Sequence, residues 1–470
     1  MGTISSAFGL IAQALDADQS ALNIVANNVA NANTTGYTRE TPNWQENQPV
    51  VINGLSYGTG VTETGATSVR DRVLAERLDQ QQQSASASGT RLAALNTIQA
   101  LFTPDSGSTG SAAGDIGNDV SSFFSSFSSL EADSTNNALR QQVLSTGATL
   151  AGDISDAAAS LDTQRAALDQ EAGGVATQVN ALTGAIAQLN LQIQSTAPNG
   201  DAGALEDMRQ QDLSQLSQLI GINQVTAGSN GLSITTTSGQ LLVSEGSSFQ
   251  VTTGSVGGVT HFFVGTTDVT AQLATGGGEL GGYLTARDQD IPNVLASLDQ
   301  LAYSISTGAN AQNNAGTDMA GDNGNAGDIF LAPTQVAGSA ASMSVVMTDP
   351  AHIAAAGLGQ GSGDNTNAVA LANLANQSIV GGLTPSGYYS NFVTALGSTV
   401  AEVQTENTAQ NASVTQLETQ NNALSSVNLN DEAAAMQRFE RSYQAASQVF
   451  TILNTVISSA LNLGVQTAVS

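Results

Sequence analysis

Each end of the chain carries an apolar stripe with a repeat of 3.5 residues, and this matching of the two ends constrains the fold more than any other feature. Ile4, Phe8, Ile11, Leu15, Asp18, Leu22, Val25 and Val29 follow one another at alternating intervals of four and three, with Asp18 as the polar exception. Toward the other end Met436, Phe439, Tyr443, Ala446, Phe450, Leu453, Ile457 and Ala460 repeat the spacing, with Leu463 one step beyond. Such spacing lines side chains along one helix face and makes the seam of a coiled coil. About eight seam residues at about 2 kcal/mol each give about 16 kcal/mol per helix. Ordering about 30 residues at about 1.5 kcal/mol each costs more than that. A single stripe of this kind would fit a core helix of an ordinary globular domain, but these two lie where chains usually fray. Each helix therefore needs a partner, from its own chain or from neighbouring copies.

At roughly 150 residues per domain, 470 residues leave room for about three domains. Acidic residues number 39 and basic residues 11, all of them arginine, for a formal charge of −28. Nucleic acid and anionic membranes are poor partners for such a surface, because both are bound through Lys and Arg. Cysteine is absent, which excludes disulfides, thiolate metal sites and a cysteine nucleophile. No basic residue precedes Arg39, so the positive n-region of a secretory signal peptide is missing. No run of 18 apolar residues appears, which argues against a spanning helix.

After the first stripe the sequence reads NNVANANTTGYTRE, from Asn27 to Glu40. Asparagine tolerates the left-handed conformation that ends helices and Gly36 permits a positive φ, so this segment predicts a helix stop and a sharp turn. Together with the preceding ALDADQSALNIVANNVANANT it resembles the N-terminal signature of the flagellar axial proteins, the rod, hook and hook-associated family. The matching positions are Gln19, Leu22, Asn27, Asn28, Ala30, Asn31, Asn33, Thr34, Gly36 and Tyr37. SSVNLNDEAAAMQRFERSYQAASQVFTILNTVISSAL resembles the C-terminal signature of the same family, through Val427, Leu429, Glu432, Ala433, Phe439, Tyr443, Gln444 and Ala445. GYTRE, from Gly36, is similar to the GYSRQ of the members that join hook to filament, with Glu40 departing from the usual Gln. LEDMRQQDLSQLSQLIGINQV from Leu205, GGELGGYLTARDQDIPNVLASLDQLA from Gly277 and GDNTNAVALANL from Gly363 also resemble those members.

The interior reads as mainly helical. Val69, Val73 and Leu78, then Leu92, Leu95, Ile98 and Phe102, suggest helix, and Val120, Phe123, Phe124, Phe127 and Leu130 form a short aromatic face. From Leu139 to Ile193 the pattern is long, with Val175, Val179, Leu182, Ile186, Leu189 and Ile193 at helical spacing. It predicts a rod-like strut unless Gly173 and Gly174 break it. A second strut is expected from Tyr389 through Leu424. Between Ile222 and Leu280 short runs rich in Thr and punctuated by Gly, such as Leu241 to Val243 and Phe262 to Val264, predict antiparallel strands. Gly308 to Gly327 reads as a loop, and Ser342 to Met347 as one more strand. The expected fold class is mainly α with a β insert. Residues 1–50 and 425–470 would form a paired terminal unit, 51–221 and 286–424 a helical stalk, and 222–285 an outer β-rich unit.

Catalytic patterns are missing. His261 and His352 are isolated, and there is no HExxH, GxSxG, Walker loop or dinucleotide GxGxxG in a strand-to-helix context. Asp318, Asp322, Asn323, Asn325 and Asp328 are rich in oxygen ligands, but no glutamate follows at the twelfth position of an EF-hand loop counted from Asp322. A solvated loop is the reading there, and neither a metal nor a cofactor is expected.

The resemblance implies a non-enzymatic structural subunit of the bacterial flagellum at the junction of hook and filament. It would be extracellular, exported unfolded through the flagellar type III channel without a cleaved signal peptide. Its partners would be copies of itself in a ring, hook protein, the next hook-associated junction protein and an export chaperone. The assembly interface would comprise Phe8, Ile11, Leu15, Leu22 and Val29 with Phe439, Tyr443, Phe450, Leu453 and Ile457. Gln19, Asn27, Asn28, Asn31, Asn33, Gly36 and Tyr37 would set the turn and lateral packing. Hook protein or a distal rod protein is the alternative within the family, though the long helical struts speak against hook protein. A secreted adhesin or carbohydrate-binding protein is the alternative outside it, disfavoured because Trp44, the single tryptophan, lies outside the β insert.

Overall fold

The computed structural model describes residues 2–52, 54–103, 116–196, 201–227 and 231–466. The chain is mainly α with a β insert. Helix α1 (Gly2–Asn31) stops at the Asn-rich segment, where Gly36 takes φ +81° in the turn. A ribbon follows that the sequence did not suggest. β1 (Glu40–Glu46) pairs with β4 (Val61–Ser68), and β2 (Val50–Ile52) with β3 (Leu55–Tyr57) carries the ribbon to its tip. Part of this ribbon falls in the span expected to be helical. Its turn chemistry lies in Gly54, Gly60 and Gly65, all at positive φ, where only glycine is unstrained.

Helix α2 (Arg72–Leu101) begins one residue after Asp71, whose carboxylate accepts from the backbone N–H groups of Val73 and Leu74 at 3.0 Å. This cap corrects two expectations. Val69 precedes the helix, and Val73 lies on its wet side at 64 % exposure. Helix α3 (Ile116–Ala132) buries the expected aromatic face, with Phe123 5.2 Å from the rings of Phe124, Phe127 and Phe330. Helix α4 (Asn137–Thr196) runs 60 residues without a break, about 90 Å at 1.5 Å per residue. Gly173 and Gly174 do not interrupt it, because Ala172, Val175, Ala176 and Val179 around them are buried against neighbours.

Helix α5 (Ala204–Leu219) leads into the insert. There β5 (Ile222–Ala227), β6 (Gly231–Thr236), β7 (Leu241–Ser244) and β8 (Ser247–Ser248) form one antiparallel sheet in chain order. β9 (Val251–Val256), β10 (Val259–Val264) and β11 (Thr267–Asp268) form a second. Two asparagines of α4 fasten both sheets by standing in for a strand's peptide groups. Asn180 exchanges two 2.8 Å bonds with the backbone of Val251, and Asn190 donates to the carbonyls of Leu232 and Glu245.

Short helices α6 (Thr270–Ala274) and α7 (Gly278–Thr285) return the chain to the stalk. A π turn at Ala286–Asp290 then leads into α8 (Ile291–Asn314). Gly308 to Asn314, expected in a loop, are therefore the end of α8. The loop proper starts at β12 (Gly316–Thr317), which pairs with β13 (Ala356–Gly357). The strand expected from Ser342 to Met347 reduces to a single bridge, Phe330 to Val345, after the short helix α9 (Ser339–Ser342). Helices α10 (Thr366–Asn373) and α11 (Pro385–Ser425) complete the stalk, α11 being the second strut, and α12 (Leu429–Gln466) ends the fold.

Among the described residues three apolar clusters result. The largest joins α3, the first half of α4, α8 and α11; the second joins the latter half of α4 to the insert; the smallest lies between α1 and α12. Among the described residues no helix is long and apolar enough to cross a membrane.

Candidate assembly interface

The terminal helices find each other. α1 and α12 run antiparallel, with Ala21 and Val25 against Ala435 and Phe439, and Leu22 and Met436 at the margin. Further along, Phe8 meets Phe450 edge to face at 5.0 Å between ring centroids. Trp44 of β1 stands edge-on to Phe439 at 5.8 Å, so the ribbon closes over one flank of the pair.

The buried stripe of α1 is rotated slightly from the one its spacing suggests. Ile11, Asp18, Ala21, Val25 and Asn28 are buried, while Leu15 and Leu22 are half-buried and Val29 is exposed. Two local causes are visible. Ala21 has no bulk to hold α12 away, and Asn28 is drawn inward by polar partners. On α12, Phe439 is buried, Leu453 and Ile457 are half-buried, and Tyr443 and Phe450 are exposed. The side chains of Ile4 and Leu463 lie outside the described residues.

Asn28 is the hub of a polar knot. Its amide nitrogen donates to a carboxylate oxygen of Glu432 at 3.0 Å and to the carbonyl of Glu40 at 2.8 Å. Its amide oxygen accepts from the Tyr37 hydroxyl at 2.8 Å and from the Glu40 N–H at 3.0 Å. Every bonding position of this amide is used. Arg39 Nε donates to the second Glu432 oxygen at 2.6 Å, and the Arg39 N–H donates to the carbonyl of Ser425 at 2.9 Å. Burial, reinforced by the charges of Glu40, Asp207 and Glu432, pushes the Tyr37 hydroxyl up to about 12. It therefore stays a neutral donor. Asn31 donates to the carbonyl and amide oxygens of Asn27, and Asn27 donates to the Tyr37 hydroxyl. Gln19 and Asn33 are exposed, as is Gly36 at the turn.

Three elements of this region escaped the sequence reading. One is a second stripe on α12, Val449, Ile452 and Val456, at intervals of three and four beside the first. Another is the role of Trp44. The third is a polar tie from residues 38–72 to residues 201–207, at and just before the start of α5. Thr38 donates through its N–H and hydroxyl to Asp207, the Ser68 N–H donates to Asp201, Arg70 grips Glu206 and Asp207, and Arg72 reaches Glu206 at 2.9 Å. Only the stripe had a readable signal, its spacing.

Away from the termini both histidines pair with carboxylates. His261 Nδ1 lies 2.6 Å from Asp268, and His352 Nδ1 lies 2.6 Å from Asp318. Asp322, Asn323 and Asn325 are exposed, in keeping with a solvated loop, whereas Asp318 is buried beside the β12–β13 pairing and Asp328 is half-buried. Asp318, Asp322 and His352 offer ligand atoms within 4.8 Å of one another, but His352 Nδ1 is already engaged in its hydrogen bond with Asp318.

The family model for the flagellar hook-associated protein FlgK helical domain matches residues 106–330, and that for the flagella basal body rod protein matches residues 12–38. Flagellar hook-associated protein 1 of Escherichia coli is 26 % identical, the match covering 96 % of this chain and 98 % of the relative. The protein of the same description from Bacillus subtilis is 27 % identical over 96 % of each chain. In architecture the chain is similar to the flagellar hook junction protein FlgK from Burkholderia pseudomallei, with a TM-score of 0.64. That likeness, at 18 % identity, covers 73 % of this chain and 99 % of the solved one, and it speaks to the fold alone. The relatives are structural proteins of the flagellum and not enzymes. Matches at the N-terminal signature, through the helical interior and along almost the full length agree, and the chain is similar throughout to flagellar hook-associated protein 1.

Proposed function

We propose that this chain is a structural subunit of the junction between flagellar hook and filament, exported unfolded and assembled through its terminal helices. One observation carries the assembly step. Around its latter half α12 is apolar on more than one face: Phe450, Leu453 and Ile457 form one stripe, while Val449, Ile452 and Val456 remain 47, 61 and 50 % exposed. A helix apolar on several faces belongs in an interior. α1 covers one face, so neighbouring copies are the natural source of the rest. A contact between different faces of identical subunits repeats by rotation and builds a ring or tube rather than a closed pair.

In this reading residues 1–50 and 425–470 form the inner unit, 51–221 and 286–424 the stalk, and 222–285 the outer unit facing the medium. The ring contacts hook protein on one side and the next hook-associated protein on the other, and before assembly the α12 stripes are the surface an export chaperone would shield. The rod-type match at residues 12–38 does not favour a rod protein, because it covers only the signature shared by the axial family. Glycan binding loses its best anchor, since Trp44 packs on Phe439.

Leu15→Asp and Phe450→Asp, each introduced into cells lacking the native copy, test the proposal. The expected result is an intact stalk by hydrogen exchange, no immunogold label at the hook–filament boundary, and filament subunits lost to the medium. Motile cells with normal filaments would overturn it.

A further inference from the structure

The tip of the terminal ribbon is an unpartnered apolar face, and the pairing of its strands shows which residues share it. Val50 pairs with Tyr57 and Ile52 with Leu55. Directly paired residues project to the same side of a ribbon, and so do residues two apart. Val50, Leu55 and Tyr57 therefore lie on one face, opposite Val51 and Ser56. They are 50, 62 and 50 % exposed. A two-stranded ribbon with one apolar face is marginal until that face is covered.

We propose that this tip docks on the Val449–Ile452–Val456 stripe of α12 in a neighbouring copy of the chain. The proposal rests on the junction reading above and names the contact that joins successive subunits. Three observations single out this occupant. Within one chain the two surfaces do not cover each other, since both remain exposed. The base of the same ribbon already packs on α12, through Trp44 against Phe439, so the tip would repeat on a neighbour a contact its base makes at home. Residues 47–62 and 442–466 contain no charged side chain. Copies with a formal charge of −28 each therefore meet there without placing like charges face to face. The two faces differ, so the contact is heterologous and propagates around a ring.

Because the chain has no cysteine, introduced thiols report on this contact alone. Leu55→Cys with Ile452→Cys, in the full chain and in cells lacking the native copy, is treated with a short bismaleimide on isolated hooks. The expected product is a ladder of linked subunits from assembled junctions and none from secreted monomer. Val51→Cys with Ile452→Cys, on the opposite ribbon face, should give little or no ladder. Labelled junctions that carry filaments yet yield only monomer, or a link formed within one chain, would overturn the docking and leave the junction reading standing. Absence of the unsubstituted chain from the junction would overturn the junction reading itself. A second series keeps the test decisive if the thiol pair fails to assemble. Leu55→Asp should lower the fraction of hooks bearing filaments by about tenfold, the equivalent of one lost apolar anchor, while Val51→Asp should change it little. Equal effects of the two would refute the assignment of the docking face.

Discussion

Arg39 and Glu432 stand 393 residues apart in the chain and 2.6 Å apart in the fold. The Glu432 side chain is 1 % exposed, and its two oxygens are divided between Arg39 and Asn28. A buried carboxylate is tolerated only when it is paired and hydrogen-bonded, so both ends of the chain must be in place before either is satisfied. The clasp supplies register for a helix pair whose apolar seam is small and, being made of alanines as much as of large residues, would tolerate sliding.

Glu432→Gln keeps the shape of the clasp and removes its charge. We expect the α1–α12 pair to lose roughly 1–3 kcal/mol. Hydrogen exchange should quicken at residues 17–29 and 432–446 with the stalk unchanged. Equal protection in the variant and the parent would show that the apolar seam alone sets the register.

Arg70 holds Glu206 and Asp207, the carboxylates that tie the terminal unit to α5. Arg70→Gln removes one of the cations facing the buried Glu206 and the one that also grips Asp207, and losing such charge-assisted hydrogen bonds costs roughly 1.5–3 kcal/mol. Limited proteolysis should then cut in the 34–40 segment, where Thr38 is held by Asp207. Arg70→Lys should not restore resistance, because an ammonium lacks the fork that spans two carboxylates.

Asp79 is buried between α2, α5 and β5, accepting from Gln210 at 3.0 Å and Gln224 at 2.7 Å. Burial pushes its carboxyl up to about 7, with a smaller contribution from Glu76. The native state thus keeps a proton that the unfolded chain releases near its ordinary value of about 4. Stability from this group is full below about pH 4, falls as pH rises, and levels off above about 7. Asp79→Asn should flatten that profile and raise the urea midpoint at pH 8 while leaving it unchanged at pH 4.

Gly282 lets α7 cross α2 at close range. A Cβ there would lie 2.6 Å from the carbonyl oxygen of Ala87 and 2.7 Å from the Thr90 Cβ. Gly282→Ala should destabilise the stalk by roughly 1–3 kcal/mol through overpacking, read as a lower urea midpoint. Gly184, whose Cβ would meet nothing within 4 Å, is the control, and Gly184→Ala should be neutral or mildly stabilising.

The interface shows where reading by period stops. Phe8, Phe439 and Phe450 are visible as seam residues because their spacing is local. Asn28 was readable as a turn former, yet its principal work is to bond Glu432 across the whole chain. The tie from Arg70 and Thr38 to α5 joins polar residues with no periodicity. The ribbon from Glu40 to Ser68 is mostly polar and solvent-facing, so it lacks the alternation that marks a half-buried strand.

The long helices, the β insert and the two apolar ends follow from the sequence alone, because each depends on spacing within a few turns of backbone. Which face of α12 is covered, how the ends are clasped and which side of the ribbon tip stays bare were decided only by the tertiary structure. These depend on the distance between groups hundreds of residues apart, and no local pattern encodes that distance.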